Sequence, residues 1–268
     1  MTDHDSRDIE AKLARLTGIL GASGSMVVAV SGGVDSAVLL LLAARTLDRV
    51  EAATVRSPFT PRRDLEDAER IGRLAGVRHH WLEADERREG GLADNPPDRC
   101  FHCKRLRFSR LNDLAATRGL TTVADGTNAD DSAEDRPGMR AAAELGVASP
   151  LREAGLTKAD LRALARRLDL PVADKPAAAC LATRIEFGRP LDQDLLDRID
   201  RAEDFLHDLG FGLVRCRARG GGAVIEVAPD QIDRLIQDNI RRTVERRLKE
   251  LGFDRVTVNP DGYQGQIA

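Results

Sequence analysis

The sequence predicts an α/β protein: a parallel sheet covered by helices on both faces, followed by a smaller α+β unit. Three observations predict it. Short apolar, β-branched runs alternate with segments of helical period over the first 130 residues, the pattern of a parallel sheet with crossover helices. The run that begins at Val27 breaks at Ser31-Gly32-Gly33-Val34-Asp35-Ser36 and resumes at once as a second apolar run. Beyond about residue 190 the pattern changes, with two strand-like runs following each other across Gly220-Gly221-Gly222.

The elements follow in order. Residues 8–20 place Ile9, Leu13, Leu16 and Leu20 on one helical face. Residues 27–30 are short, apolar and β-branched, as in a strand buried on both faces, and residues 37–47 read as a buried helix. Residues 50–56 form a second strand. Thr60-Pro61 supplies a cap and a first-turn proline for a helix running to Leu74, which Gly76 closes. A third strand spans 77–84 and a polar loop spans 85–98. A helix from Arg99 to Arg118 ends at Gly119, and residues 120–128 are a further strand running into a loop. Thr157-x-x-Asp160 resembles a capping box opening a helix that ends before Pro171. A Pro- and Ala-rich linker carries Cys180. The last part holds a helix at 192–209, strands at 211–219 and 223–228, a helix from Pro229 to Leu251, and a strand at 254–259. These patterns divide the chain into a domain of residues 1–187 and one of 188–268.

Composition narrows the function. With 268 residues and 42% hydrophobic content the chain is long and apolar enough for a large core. The net charge of −3 and the 3% aromatic content give no basic face and few stacking rings, so bulk electrostatics does not support nucleic-acid binding. No apolar run reaches the ~18 residues of a membrane span, and the acidic, polar start is unlike a signal peptide, which leads to the expectation of a cytoplasmic protein without a membrane partner.

The six-residue stretch lies at the carboxyl end of the first predicted strand and opens a helix, the place where open α/β sheets bind ligands. Its glycines let backbone N–H groups converge, and the helix end adds unpaired donors and a positive dipole end. Ala29, Ser31, Gly32, Gly33, Val34 and Ser36 are therefore candidates to contact phosphate oxygens, and Asp35 suits a Mg²⁺ ion bridging it to phosphate. The stretch lacks the lysine of a P-loop and the spacing of a dinucleotide fingerprint. It closely resembles the SGGxDS loop of the PP-loop ATP pyrophosphatases (adenine nucleotide alpha hydrolase-like), which cut ATP between its α and β phosphates. A second loop, with Gly126, Thr127 and Asn128, matches the one that borders the nucleotide there.

Four cysteines in a chain expected in the cytosol are buried hydrophobes or chemistry rather than a disulfide framework. Cys100 and Cys103 lie three apart at a predicted helix start beside Arg99, Lys104 and Arg105, which favours thiolates. Cys216 alternates into a strand and reads as a small buried hydrophobe. The pair could be a redox couple or half of a zinc site. With Cys180 it makes three thiols, a set that could hold a [4Fe-4S] cluster with one iron open to an exogenous sulfide.

Taken together the chain resembles the LarE family of ATP-dependent sulfur transferases. The resemblance rests on residues 28–40, on the long stretch 125–185 and on residues 215–227. It implies a small-molecule nucleotide substrate, a pyridinium dicarboxylate mononucleotide. ATP would adenylate a ring carboxylate with loss of pyrophosphate, and sulfur would displace AMP to leave a thiocarboxylate on the way to a nickel-pincer nucleotide. In some members the cysteine matching Cys180 gives up its own sulfur. The added Cys100 and Cys103 resemble the branch in which three cysteines hold [4Fe-4S]. Arg184, Arg215 and Arg217, with Glu226, are the residues implied to receive substrate phosphate or carboxylate, and a homo-oligomer, a hexamer, is implied as well. The sulfide source is not implied. Three other readings compete. A tRNA thiolase of the same superfamily would need a basic face. A non-catalytic zinc or nucleotide binder would release no pyrophosphate. A ligase using ammonia would leave the cysteines without a role.

Overall fold

The structure is a computed structural model that describes residues 3–131, 137–177 and 179–263, with side chains from residue 8 onward. Residues 132–136 and 178, inside the stretch that carries the resemblance, lie outside the described residues. The chain forms two compact units. The first comprises Met1–Ser57, Arg62–Gly90 and Asp98–Lys175, and the second comprises Pro58–Pro61, Gly91–Pro97 and Pro176–Ala268.

In the first unit the order is α1 (Asp3–Ala22), β1 (Met26–Ala29), α2 (Val34–Thr46), β2 (Val50–Arg56), α3 (Arg62–Ala75), β3 (Arg78–Glu83), α4 (Glu86–Glu89), α5 (Arg99–Arg118), β4 (Thr122–Ala124), α6 (Pro137–Glu144), α7 (Pro150–Glu153) and α8 (Lys158–Arg167). The strands lie in the order β3-β2-β1-β4, and every neighbouring pair is parallel. Successive side chains of a strand point to opposite faces, so β1 feeds two cores. Val28 joins Leu16 and Leu20 of α1, Leu39 and Leu40 of α2 and Leu161 and Leu164 of α8. Val27 joins Ala53, Val123 and the α5 residues Phe108, Leu111 and Ala115. A strand between two cores has no polar face to alternate with, which is why its sequence is a continuous apolar run.

Three differences from expectation stand out here. The expected strand over 120–128 is regular only at Thr122–Ala124; beyond it Asp125 N–H turns to the carbonyl of Ala148. The expected loop at 85–98 opens with α4, capped by Asp85, whose side chain accepts from Arg87 N–H. The helices α6 and α7 had no counterpart in the sequence pattern.

The second unit contains a 3₁₀ turn at Leu181–Arg184, then α9 (Gln193–Asp208), β5 (Val214–Arg219), β6 (Gly222–Val227), α10 (Ile232–Leu235), α11 (Asp238–Glu250) and β7 (Val256–Val258). Its sheet runs β5-β6-β7, antiparallel between β5 and β6 and parallel between β6 and β7. Gly220 and Gly221 turn the hairpin at φ of 51° and 83°, a region that favours glycine. The helix expected unbroken from Pro229 to Leu251 is interrupted at Gln237, whose backbone is extended at φ −56°, ψ 135°. No helix among the described residues is long and apolar enough to cross a membrane.

Candidate functional site

The stretch Ser31–Ser36 leaves the carboxyl end of the central strand β1 just beyond Ala29 and closes into the first turn of α2. Gly32 sits at φ 78°, and a Cβ there would lie 2.1 Å from the carbonyl oxygen of Asp64 in α3. The loop is thus nested against α3 at a distance only glycine permits. Gly33, extended at φ −96°, caps α2, and its carbonyl accepts from Ala37 N–H and from the Ser36 hydroxyl at 3.1 Å. Ser36 Oγ also receives Ser31 N–H at 3.2 Å and lies 3.2 Å from Ser31 Oγ. The buried Ser36 hydroxyl therefore braces the turn. The first-turn N–H groups of a helix have no intrahelical acceptor and suit an anion.

The second loop packs directly on this turn. A Cβ on Gly126 would fall 2.8 Å from Ser36 N, so the two backbones touch. Asn128 Nδ2 donates to Asp35 Oδ2 at 3.3 Å. Thr127 turns the other way, with its N–H and hydroxyl both given to Asp125. Asp125 also accepts the Ser149 hydroxyl at 2.9 Å.

Two lysines that sequence reasoning missed complete the arrangement. Lys158 Nζ spans both oxygens of Asp35, at 2.8 and 2.7 Å. Lys175 Nζ donates to the Gly32 carbonyl at 3.0 Å and pairs with Asp64 at 2.7 Å and Asp67 at 2.6 Å. Each lies more than a hundred residues from the loop it contacts. The only local signal is that Lys158 follows the helix cap Thr157 and so has a fixed origin.

Cys100 and Cys103 share the first turn of α5, the former exposed and the latter half-buried. Cys103 Sγ lies 3.5 Å from Oε1 of Glu86, a carboxylate with no exposed surface. Glu86 is also held by Arg107 Nε at 2.7 Å and by the Ser57 hydroxyl at 2.6 Å.

In the second unit Cys180 immediately precedes the 3₁₀ turn, and its segment is gripped by arginines. Buried Arg184 donates to the carbonyls of Ala179 at 2.9 Å and Cys180 at 3.2 Å. Its other nitrogens meet both oxygens of Glu203 at 2.8 Å. Arg215 reaches the Ala177 carbonyl at 2.9 Å, and Arg217 reaches the Thr183 carbonyl at 3.1 Å while pairing with Glu226 at 2.8 Å. One oxygen of Glu226 is buried without a hydrogen-bond partner. Burial works against the charge on Arg184, but Glu203 overrides it and raises the pKa. Burial, then the neighbouring Arg184 charge, pushes that of Arg215 down. Burial likewise pushes the Cys216 thiol well up, which fits an inert, packed cysteine. Sequence reasoning missed Glu203, although its place on the buried stripe of α9 with Leu196, Ile199 and Leu206 marks it as a paired charge.

Among the described residues no three His, Cys, Asp or Glu side chains gather into a group that could hold a metal ion. The cluster reading for Cys100, Cys103 and Cys180 therefore has no ready-made ligand set here.

Comparison with known proteins follows this geometry. The family of queuosine biosynthesis protein QueC matches residues 25–92, the stretch from β1 through the phosphate loop and past β3. An uncharacterised protein of Synechocystis is 35% identical over 96% of both chains. Pyridinium-3,5-bisthiocarboxylic acid mononucleotide synthase of Lactiplantibacillus plantarum is 33% identical over 96% of this chain and 93% of its own. The tRNA-specific 2-thiouridylase of Xanthobacter autotrophicus is 32% identical, but over only 58% of this chain and 50% of its own. Likeness to the thiouridylase stops at part of the chain, whereas likeness to the synthase runs from end to end. The protein is an ATP-using, sulfur-transferring enzyme, and the chain belongs to the LarE family within the PP-loop superfamily.

Proposed function

We propose that the enzyme uses ATP and Mg²⁺ to adenylate a ring carboxylate of pyridinium-3,5-dicarboxylate mononucleotide and converts it to a thiocarboxylate for the nickel-pincer nucleotide. The observation that carries this is the glycine loop at the end of β1, closed against α3 and opening α2 with Asp35 in its first turn. Backbone donors from Ser31 to Ser36 would hold the β and γ phosphates as the carboxylate oxygen attacks the α phosphorus and pyrophosphate leaves. Asp35 would hold Mg²⁺, which when bound spreads the polyphosphate charge. The fit is favourable, since the carboxylate already has both oxygens on a cation, the Lys158 ammonium. Gly126, Thr127 and Asn128 would border the nucleotide. Arg215, Arg217 and Glu226 would receive the substrate, with residues 188–268 serving binding and assembly as a hexamer.

For sulfur, Cys100, Cys103 and Cys180 are proposed to hold [4Fe-4S], which when bound supplies an extra sulfide for transfer. A second reading has its own support in the fixed backbone and half-buried side chain of Cys180. There the Cys180 thiolate attacks the acyl-adenylate and AMP leaves. Loss of the Cα proton and cleavage of the Cβ–S bond then release the thiocarboxylate and leave dehydroalanine.

One preparation tests both. Protein purified without oxygen is assayed for iron and acid-labile sulfide beside Cys180→Ala and Cys100→Ala, and for pyrophosphate release beside Asp35→Ala. About four irons per chain, lost in both cysteine variants, support the cluster. No iron after anaerobic reconstitution, with a loss of one sulfur mass from Cys180 on turnover, supports the second reading. Undiminished pyrophosphate release by Asp35→Ala would overturn the role of the loop.

A further inference from the structure

We infer that Lys158 is an internal counter-ion that makes metal binding at Asp35 conditional on nucleotide. This rests on the ATP reading above. Both Asp35 oxygens are engaged by one ammonium, at 2.8 and 2.7 Å, and Asn128 Nδ2 lies 3.3 Å from one of them. Mg²⁺ takes oxygen ligands at about 2.0–2.1 Å in octahedral geometry. An ion that close to Asp35 would sit against the ammonium, two like charges competing for one carboxylate. Metal therefore binds only if Lys158 leaves, and the ammonium leaves only if another anion receives it. The polyphosphate is such an anion, and it brings the metal with it.

The ion pair is placed to open without disturbing the fold. Lys158 is the first residue of α8, whose start is secured by the reciprocal Thr157–Asp160 capping box. Its backbone N–H donates to Asp130 at 2.7 Å, and Lys12 pairs with Asp160 at 2.9 Å. None of these uses the Lys158 ammonium. The side chains of Lys158 and Asp35 are 29% and 21% exposed, so neither is locked in a dry core. A lysine head on a flexible stem can turn from carboxylate to phosphate while its own backbone stays still. Lys175 does not substitute for it, because its ammonium is committed to Gly32, Asp64 and Asp67.

The test uses Mn²⁺ without nucleotide, following the paramagnetic resonance of the free ion over the full chain. Compared are the wild type, Lys158→Met, Lys158→Gln, Lys158→Arg and the double variant Asp35→Asn/Lys158→Met, each checked for fold by circular dichroism. The wild type and Lys158→Arg should bind Mn²⁺ weakly. Lys158→Met and Lys158→Gln should bind it at least about tenfold more tightly, and Asp35→Asn should abolish the gain. Equal Mn²⁺ affinity with and without the lysine charge, or a gain that survives Asp35→Asn, would overturn the inference. Binding of labelled ATP to the wild type with Mg²⁺, by equilibrium dialysis, separates the two levels. Absent ATP binding would remove the ATP reading itself. ATP binding with no Mn²⁺ gain in either neutral variant would remove only the counter-ion role.

Discussion

Gly32→Ala is the sharpest test of the nested loop. The residue sits at φ 78°, where a β-carbon costs about 1–2 kcal/mol. Its Cβ would lie 2.1 Å from the Asp64 carbonyl oxygen, so loop and helix must part by about an ångström, an overpacking cost of about 1–3 kcal/mol. The sum is about 2–5 kcal/mol, read as a melting point lower by about 4–20 °C for a domain of this size. If the loop yields instead of α3, stability is largely kept and ATP affinity falls. Gly33→Ala is the control. Gly33 is extended at φ −96°, and its Cβ would meet only Ser31 Oγ at 3.4 Å, so the change should cost less than about 1 kcal/mol. Equilibrium urea unfolding and ATP binding, run on both variants, decide the matter. Gly32→Ala matching Gly33→Ala in both assays would refute the nested loop.

Three further outcomes follow from the packing. Glu203→Gln leaves Arg184 buried with half its partners and weakens the bond to Cys216 N–H, costing about 3–5 kcal/mol in chemical denaturation; a loss below about 1 kcal/mol would show that the pair is dispensable. Burial alone would raise the Asp160 carboxyl, but Thr157 donors and the Lys12 ammonium hold it below the usual range. Its contribution is therefore full above the unfolded carboxyl value and is lost as pH falls through the lowered folded value, so Asp160→Asn should flatten the acid limb of the urea midpoint between about pH 5 and 2. Alkylation of the native protein at about pH 8 should label exposed Cys100 and spare Cys216, whose thiol is buried and pushed well up; peptide mass mapping reads both, and rapid labelling of Cys216 would contradict its packing.

What the sequence disclosed were features that neighbours in the chain determine. The apolar run at 27–30 follows from a strand with a core on each face, and the Thr157–Asp160 box is formed by residues three apart. The loop Ser31–Ser36 was legible because sterics at Gly32 and hydrogen bonds between Ser31, Gly33 and Ser36 are local requirements. The counter-charges were not legible. Lys158 and Lys175 meet the loop from 123 and 143 residues away, and a surface lysine looks the same in sequence whether or not it has such a partner. Arg215 and Arg217 were read as two cations on one strand face; that they spend hydrogen bonds on the carbonyls of Ala177 and Thr183 depends on how the linker folds back. The short helices α6 and α7 escaped notice because each spans eight residues or fewer, too little for a period to show.

The grip on the Cys180 segment has a last consequence. Arg184, Arg215 and Arg217 take hold of carbonyl oxygens at 177, 179, 180 and 183, atoms that every amino acid carries. The sulfur is a passenger on a scaffold indifferent to it. A chain whose residue 180 has been chemically altered keeps its outline, and shape alone offers a cell no way to tell a spent copy from a fresh one.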